Sequence, residues 1–199
     1  MNRPLLTTLA VLAGLAVDAV RWLFEHDGGI ASCSLFRTTA IRRAAGWSES
    51  LESGEDFVLF LAVAQEGAWL HAEGDPVHFN RASAEITGEE GNLSLRRLSM
   101  YRDWALQYER SFAEIGETNP RRRRALKCGV AKKWRDAGIQ FLRHRQVSEA
   151  AQAFTAALRW NPRMLGPRIR LLQARLSALG LWRSAKRRQQ AATVTATKS

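Results

Sequence analysis

Along the first 118 residues, apolar positions switch between helical spacing and short unbroken runs; afterwards they keep helical spacing almost to the end. Leu9, Leu12, Ala13, Ala16, Val20, Leu23 and Phe24 predict one helix over residues 4–25, stopped by Asp27-Gly28-Gly29. The short apolar run 30–36 predicts a buried strand, and 38–45 a short helix closed by Gly46. A polar loop over 48–54 leads to a helix over 55–66, with Phe57, Leu61 and Ala64 on one face and Gly67 as its stop. Strands over 69–71 and 77–79 flank the turn Glu73-Gly74-Asp75-Pro76, and a Gly/Glu/Ser-rich loop covers 82–92. A long helix is expected over 93–115, with Leu98, Tyr101, Leu106 and Tyr108 among its apolar positions. Asn119-Pro120 and four arginines, Arg121 to Arg124, mark a boundary. Helical spacing then runs to a polar tail, 189–199, whose composition predicts disorder.

Charge sharpens that boundary. Residues 1–120 carry 10 Arg, no Lys and 17 acidic residues, net −7. Residues 121–199 carry 20 Lys and Arg against only Asp136 and Glu149, net +18. Such a split marks two units with different partners. The basic region from Arg121 to Arg188 suits an anionic membrane surface, or is a solvated face with no specific ligand. Nucleic acid is the poorer partner, because no helix-turn-helix, zinc or aromatic-plus-basic motif accompanies the arginine runs. Cys33 and Cys128 lie far apart with no CxxC, which argues against a disulfide scaffold or structural zinc. A cytoplasmic location follows, peripheral at the inner membrane if the basic region docks there. Arg3 before apolar residues 5–17, with Val17-Asp18-Ala19 behind them, also outlines a signal peptide. Asp18, Arg21 and Glu25 instead continue an amphipathic helix, and the run before Asp18 is short for a membrane span.

An ordered set of short motifs spans residues 30–94. Ser32 and Arg37 stand in Ser-Cys-Ser-Leu-Phe-Arg, followed by Ala45-Gly46-Trp47 and Gly54-Glu55-Asp56-Phe57. Val77-His78-Phe79-Asn80-Arg81 comes next, and Gly91-Asn92-Leu93-Ser94 closes the loop. In order and spacing this resembles the acceptor-side, C-terminal portion of a family 2 glycosyltransferase, a family with the GT-A nucleotide-binding α/β fold. The resemblance implies sugar transfer from a nucleotide-sugar donor to a hydroxyl acceptor, with Mg or Mn as the divalent cation. It makes Asp56 the candidate catalytic base, with Glu55 beside it, and Trp47, Arg37, His78 and Arg81 candidate substrate-binding residues.

The chemistry gives the match content. Inverting sugar transfer needs a carboxylate to take the acceptor hydroxyl proton. A carboxylate at a helix N-terminus stays ionised, since the dipole and free amides favour its charge. Asp56 has that place, which is also the place of any ordinary acidic helix start. Trp47 is either a platform for an acceptor ring or a core aromatic beneath the 55–66 helix. His78 stands a few residues ahead of where the family often has its His. The family's Asp-x-Asp metal motif and donor site lie upstream of the matched region, and no Asp-x-Asp occurs in this sequence. The resemblance therefore calls for a donor-binding half-domain as a partner.

Residues 134–162 resemble a tetratricopeptide repeat. Trp134, Gly138 and Phe141 fit its first helix; Ala150, Phe154, Ala157 and Pro162 fit its second. One repeat cannot bury its own apolar face, so Leu165, Ile169, Leu172 and Leu176 predict a further, capping helix. The expected architecture is a partial GT-A-like α/β unit over 1–118, then an all-α basic region over 119–188 and a tail over 189–199. A helical-repeat adaptor without catalysis is the alternative.

Overall fold

The spine of the molecule starts at Asn119, whose side chain accepts from the backbone N–H groups of Arg121 (3.0 Å) and Arg122 (3.2 Å). Pro120 stands in the first turn, where its missing N–H costs nothing. The resulting helix, Pro120–Arg143, packs against elements on both sides of the charge boundary. The computed structural model describes residues 15–16, 18–26, 34–51, 53–70 and 98–178. In chain order these form β1 (Leu15–Ala16), α1 (Ala19–His26), α2 (Thr38–Arg43), α3 (Glu55–Glu66) and β2 (Trp69–Leu70). Then come α4 (Ser99–Ile115), the spine α5 (Pro120–Arg143), α6 (Val147–Trp160) and α7 (Leu165–Ala178).

The described residues are thus helix-rich, and their one sheet is the antiparallel pair β1–β2, with Leu15 opposite Leu70 and Ala16 opposite Trp69. Three boundaries differ from the expected ones. The helix expected over 4–25 starts at Ala19, because Asp18 accepts from the Arg21 N–H (3.0 Å) and Leu15–Ala16 is taken by the strand pair. The strand expected over 30–36 is irregular backbone at residues 34–36, where Phe36 packs on the Phe60 ring at 5.2 Å and Leu35 points into solvent. The long helix expected from 93 begins at Ser99. Residues 30–33, 77–79, 82–92 and 189–199 lie outside the described residues.

Two helix stops share one geometry. After α2, Ala45 (φ 60°) donates to Arg42 and Gly46 donates to Ile41; after α5, Arg145 (φ 62°) donates to Leu142 and Gln146 donates to Phe141. Both are the paired backbone closure that normally recruits glycine at the left-handed position.

One core crosses residue 118. Phe24 of α1 lies edge-on to Phe57 and Tyr108, and Phe57 stacks on Tyr108 at 3.8 Å. Gly129 lets α5 reach α1 so closely that a Cβ there would sit 2.5 Å from the Phe24 carbonyl oxygen. Further along α5, a Cβ on Gly138 would meet the Phe154 ring at 2.7 Å. Trp134, Phe141, Ala150, Phe154 and Ala157 are all buried between the antiparallel helices α5 and α6. A smaller cluster, Ala40, Leu59 and Val63, holds α2 to α3.

The last helix packs differently from expectation. Pro167, Leu171 and Ala174 meet the core, whereas Leu165, Ile169 and Leu172 are 70%, 67% and 59% exposed. At about 100° per residue these two sets fall on opposite sides of α7, so Leu165, Ile169 and Leu172, expected as capping contacts, face away from the bundle, while the fourth, Leu176, is half-buried. Among the described residues, no helix is long and apolar enough to cross a membrane.

Candidate functional site

The start of α3 is built around Gly54. Its φ of 79° is left-handed, its carbonyl accepts from the Val58 N–H (3.2 Å), and a Cβ would stand 3.1 Å from Trp104 Cδ1. Both the conformation and the close approach call for glycine. Asp56 follows at the second position of α3, exposed, with Oδ1 accepting from the Phe57 N–H at 2.7 Å. Among the described residues no cation pairs with it. Glu55 precedes it, half-buried, at the helix N-terminus.

Around this helix start stand groups that sequence spacing did not single out. Trp104 of α4 lies edge-on to Tyr101 at 5.4 Å. The Lys133 ammonium of α5 sits 5.7 Å from the Trp104 ring centre and 4.9 Å from that of Tyr108. Tyr108 in turn stacks on Phe57, next in the chain to Asp56. Trp104 thus lies against the turn at Gly54 that opens α3, with the Lys133 ammonium over its ring. Tyr101 and Trp104, three apart in a helix, were the available sequence signal; Lys133 had none, because its approach depends on the α4–α5 packing.

The other candidates are less drawn in. Arg37 precedes α2, its carbonyl accepting from Ala40 (2.9 Å) and Ile41 (3.2 Å); its side chain is exposed, with no hydrogen-bond or ion-pair partner among the described residues. Trp47 is 50% exposed, so it is not the core aromatic beneath α3. Arg43 and Glu66 form an ion pair at 2.5 Å that ties the end of α2 to the end of α3. His78 and Arg81 lie outside the described residues. Among those described, no three His, Cys, Asp or Glu side chains converge. The described residues thus hold no ligand set for the divalent cation that the resemblance implies.

Two carboxylates elsewhere are fully engaged. Glu109 Oε1 accepts from Trp134 Nε1 (2.7 Å), Arg159 Nη2 (3.1 Å) and Trp160 Nε1, joining α4 to α5 and α6. Glu117 accepts from Asn119 N (2.7 Å) and Arg122 Nη1 (2.6 Å), and Arg122 Nη2 reaches Asp18 at 3.0 Å. The Asn119 N–H, and with it the Arg122 guanidinium, hold the Glu117 carboxyl below its ordinary pKa against opposing desolvation. A cavity of about 470 Å³ opens between α6 and α7, lined by Ser148, Gln152, Thr155, Arg159, Leu171 and Arg175 among others.

No family model matches the chain, and neither the curated proteins nor the solved structures give a match.

Proposed function

We propose that this chain carries the acceptor-side portion of a family 2 glycosyltransferase, built on a tetratricopeptide-like helical unit, with Asp56 as the base. The acceptor hydroxyl oxygen bonds to the anomeric carbon as the bond from that carbon to the donor phosphate breaks. The nucleoside diphosphate leaves with the electron pair, and the hydroxyl proton goes to the Asp56 carboxylate. The observation that carries the reading is the placement of Asp56: second residue of α3, exposed, unpaired by any described cation, and two residues after Gly54, where a Cβ would stand 3.1 Å from Trp104 Cδ1. Trp104 offers an indole face to a sugar ring, with Trp47 and Arg37 as further contacts by resemblance. The donor site and the Mg or Mn ligands belong to the donor-binding half that the resemblance calls for.

The test has two arms. Calorimetry with UDP- and GDP-sugars plus Mn²⁺ gives weak or no binding to this chain; micromolar affinity contradicts the division of labour. Saturation-transfer NMR with candidate acceptor sugars gives signals that Trp104→Ala removes. Sugars that never bind, or that bind equally to Trp104→Ala, count against an acceptor site here.

The α5–α6 hairpin favours a second reading, a helical-repeat adaptor. Gly138 leaves no room for a Cβ, which would sit 2.7 Å from the Phe154 ring, at the two positions where a tetratricopeptide hairpin needs its closest approach. In that case an acidic peptide enters the cavity between α6 and α7. Arg159→Ala and Arg175→Ala then abolish its binding, while Asp56→Asn leaves it unchanged.

A further inference from the structure

The final helix α7 is apolar on two opposite sides. Pro167, Leu171 and Ala174 are spent on α6 and the core. Leu165, Ile169 and Leu172 form a stripe about 60° wide on the outer side, all three more than half exposed. Arg168 and Arg175 border one edge of that stripe, and Arg163 precedes the helix; all three are exposed. No acidic residue follows Glu149 anywhere in the chain.

Basic charge extends from α7 onto its neighbour. Asn161 Nδ2 donates to Cys128 Sγ at 3.4 Å, which brings the turn before α7 against α5. Arg124 and Arg121 stand about one and two turns before Cys128 on the same side of α5, both exposed. On the acidic half, Asp18 and Glu117 are already engaged with Arg122, and Glu109 with Arg159.

Shape and charge select the occupant. A helical partner needs a groove with two apolar walls. Among the described residues, the outer side of α7 instead offers one exposed apolar stripe, with its buried side turned to the bundle. A second copy would set Arg163, Arg168 and Arg175 against their own equivalents. An anionic lipid surface meets both conditions, since it takes up a single apolar stripe and supplies phosphates to the arginines. We propose that α7 is an interfacial docking helix. Leu165, Ile169 and Leu172 enter the headgroup–acyl boundary of an anionic bilayer, and Arg163, Arg168 and Arg175, with Arg121 and Arg124, contact lipid phosphates. This site is independent of Asp56 and of the transferase reading.

The experiment is vesicle co-sedimentation of the full chain. Vesicles of phosphatidylglycerol and phosphatidylcholine in equal parts pellet the protein, and vesicles of phosphatidylcholine alone do not. The triple variant Leu165→Ser, Ile169→Ser, Leu172→Ser lowers partitioning by roughly a hundredfold, because three buried aliphatic chains are lost. Its circular dichroism stays that of the parent, since these side chains are exposed in the fold. Arg168→Gln with Arg175→Gln lowers partitioning by roughly tenfold at low salt and has less effect at high salt. Unchanged partitioning of the triple serine variant overturns the inference, and so does equal binding to phosphatidylcholine alone or no binding to either. So does a concentration-dependent dimer that the serine variant dissolves, which assigns the stripe to a second copy.

Discussion

Two carboxylates in this molecule sit in opposite circumstances. Glu109 is clamped: its Oε1 takes hydrogen bonds from two indoles and a guanidinium, and its side chain is 19% exposed. Asp56 is exposed and, among the described residues, takes only the N–H of its own neighbour, Phe57. A carboxylate whose oxygen takes three hydrogen bonds from two other helices holds those helices together. One held at a helix start with a free oxygen remains available to a proton or a substrate. The region around Glu109 is therefore scaffold, and the region around Asp56 is the part the scaffold presents.

That contrast is open to attack at several points. The largest effect is expected at Gly129 on the scaffold side. Gly129→Ala sets a methyl 2.5 Å from the Phe24 carbonyl oxygen, which is backbone and cannot swing aside. The overpacking costs about 3 kcal/mol, more than the roughly 1 kcal/mol that alanine gains in helix propensity. Urea unfolding reads the difference, and a stabilised variant would mean that α1 does not lie where described.

Glu109→Ala comes next, leaving the Trp134 and Trp160 indoles without their shared acceptor. Removing one partner of a charged hydrogen-bond set costs on the order of 2 kcal/mol. A double-mutant cycle with Trp134→Phe gives a coupling above about 0.5 kcal/mol if the clamp exists, and none if it does not.

On the other side of the comparison, Gly54→Ala costs about 1 kcal/mol, from the left-handed φ and the 3.1 Å approach of Trp104. It also shifts Trp104 away from α3, visible as a change in near-ultraviolet circular dichroism. An unchanged spectrum would detach Trp104 from the site.

The smallest effect is electrostatic. Glu117 has its folded pKa below the ordinary value, so its contribution to stability is present above the unfolded pKa. It is lost as pH falls through the folded pKa. Glu117→Gln therefore narrows the gap in melting temperature between neutral and acidic pH, and an unaltered gap removes Glu117 from the account.

Legibility in the sequence followed the range of the interactions. The α5–α6 hairpin was readable because Trp134, Gly138, Phe141, Ala150 and Phe154 pack at fixed local offsets, and each is buried as its offset requires. Helix α3 runs over the residues expected, since its N-terminal Gly-Glu-Asp and closing Gly67 are local signals. What failed was decided across long separations. Whether Leu15 and Ala16 belong to a helix or a strand depends on Leu70 and Trp69, more than fifty residues on. The apolar stripe of α7 correctly indicated a helix, yet periodicity could not say which of two apolar sides would meet α6. The motif singled out Asp56, whereas Trp104 comes to the Gly54 turn, and Lys133 to Trp104, only through the packing of α4 and α5. The charge boundary at residue 120 is real in composition, but the core passes through it by way of Phe24 on Gly129.

The measurement that bears most directly on Asp56 is turnover. With a donor-binding half-domain carrying an Asp-x-Asp motif supplied in trans, nucleoside diphosphate release is followed for the parent chain and for Asp56→Asn. Because Asp56 is exposed and makes no tertiary contact among the described residues, the variant melts within a few degrees of the parent. Its rate falls by about 10²–10⁴, as removal of a general base requires, with donor affinity unchanged. An undiminished rate in Asp56→Asn would contradict the assignment of the base and, with it, the functional reading of the α3 helix start.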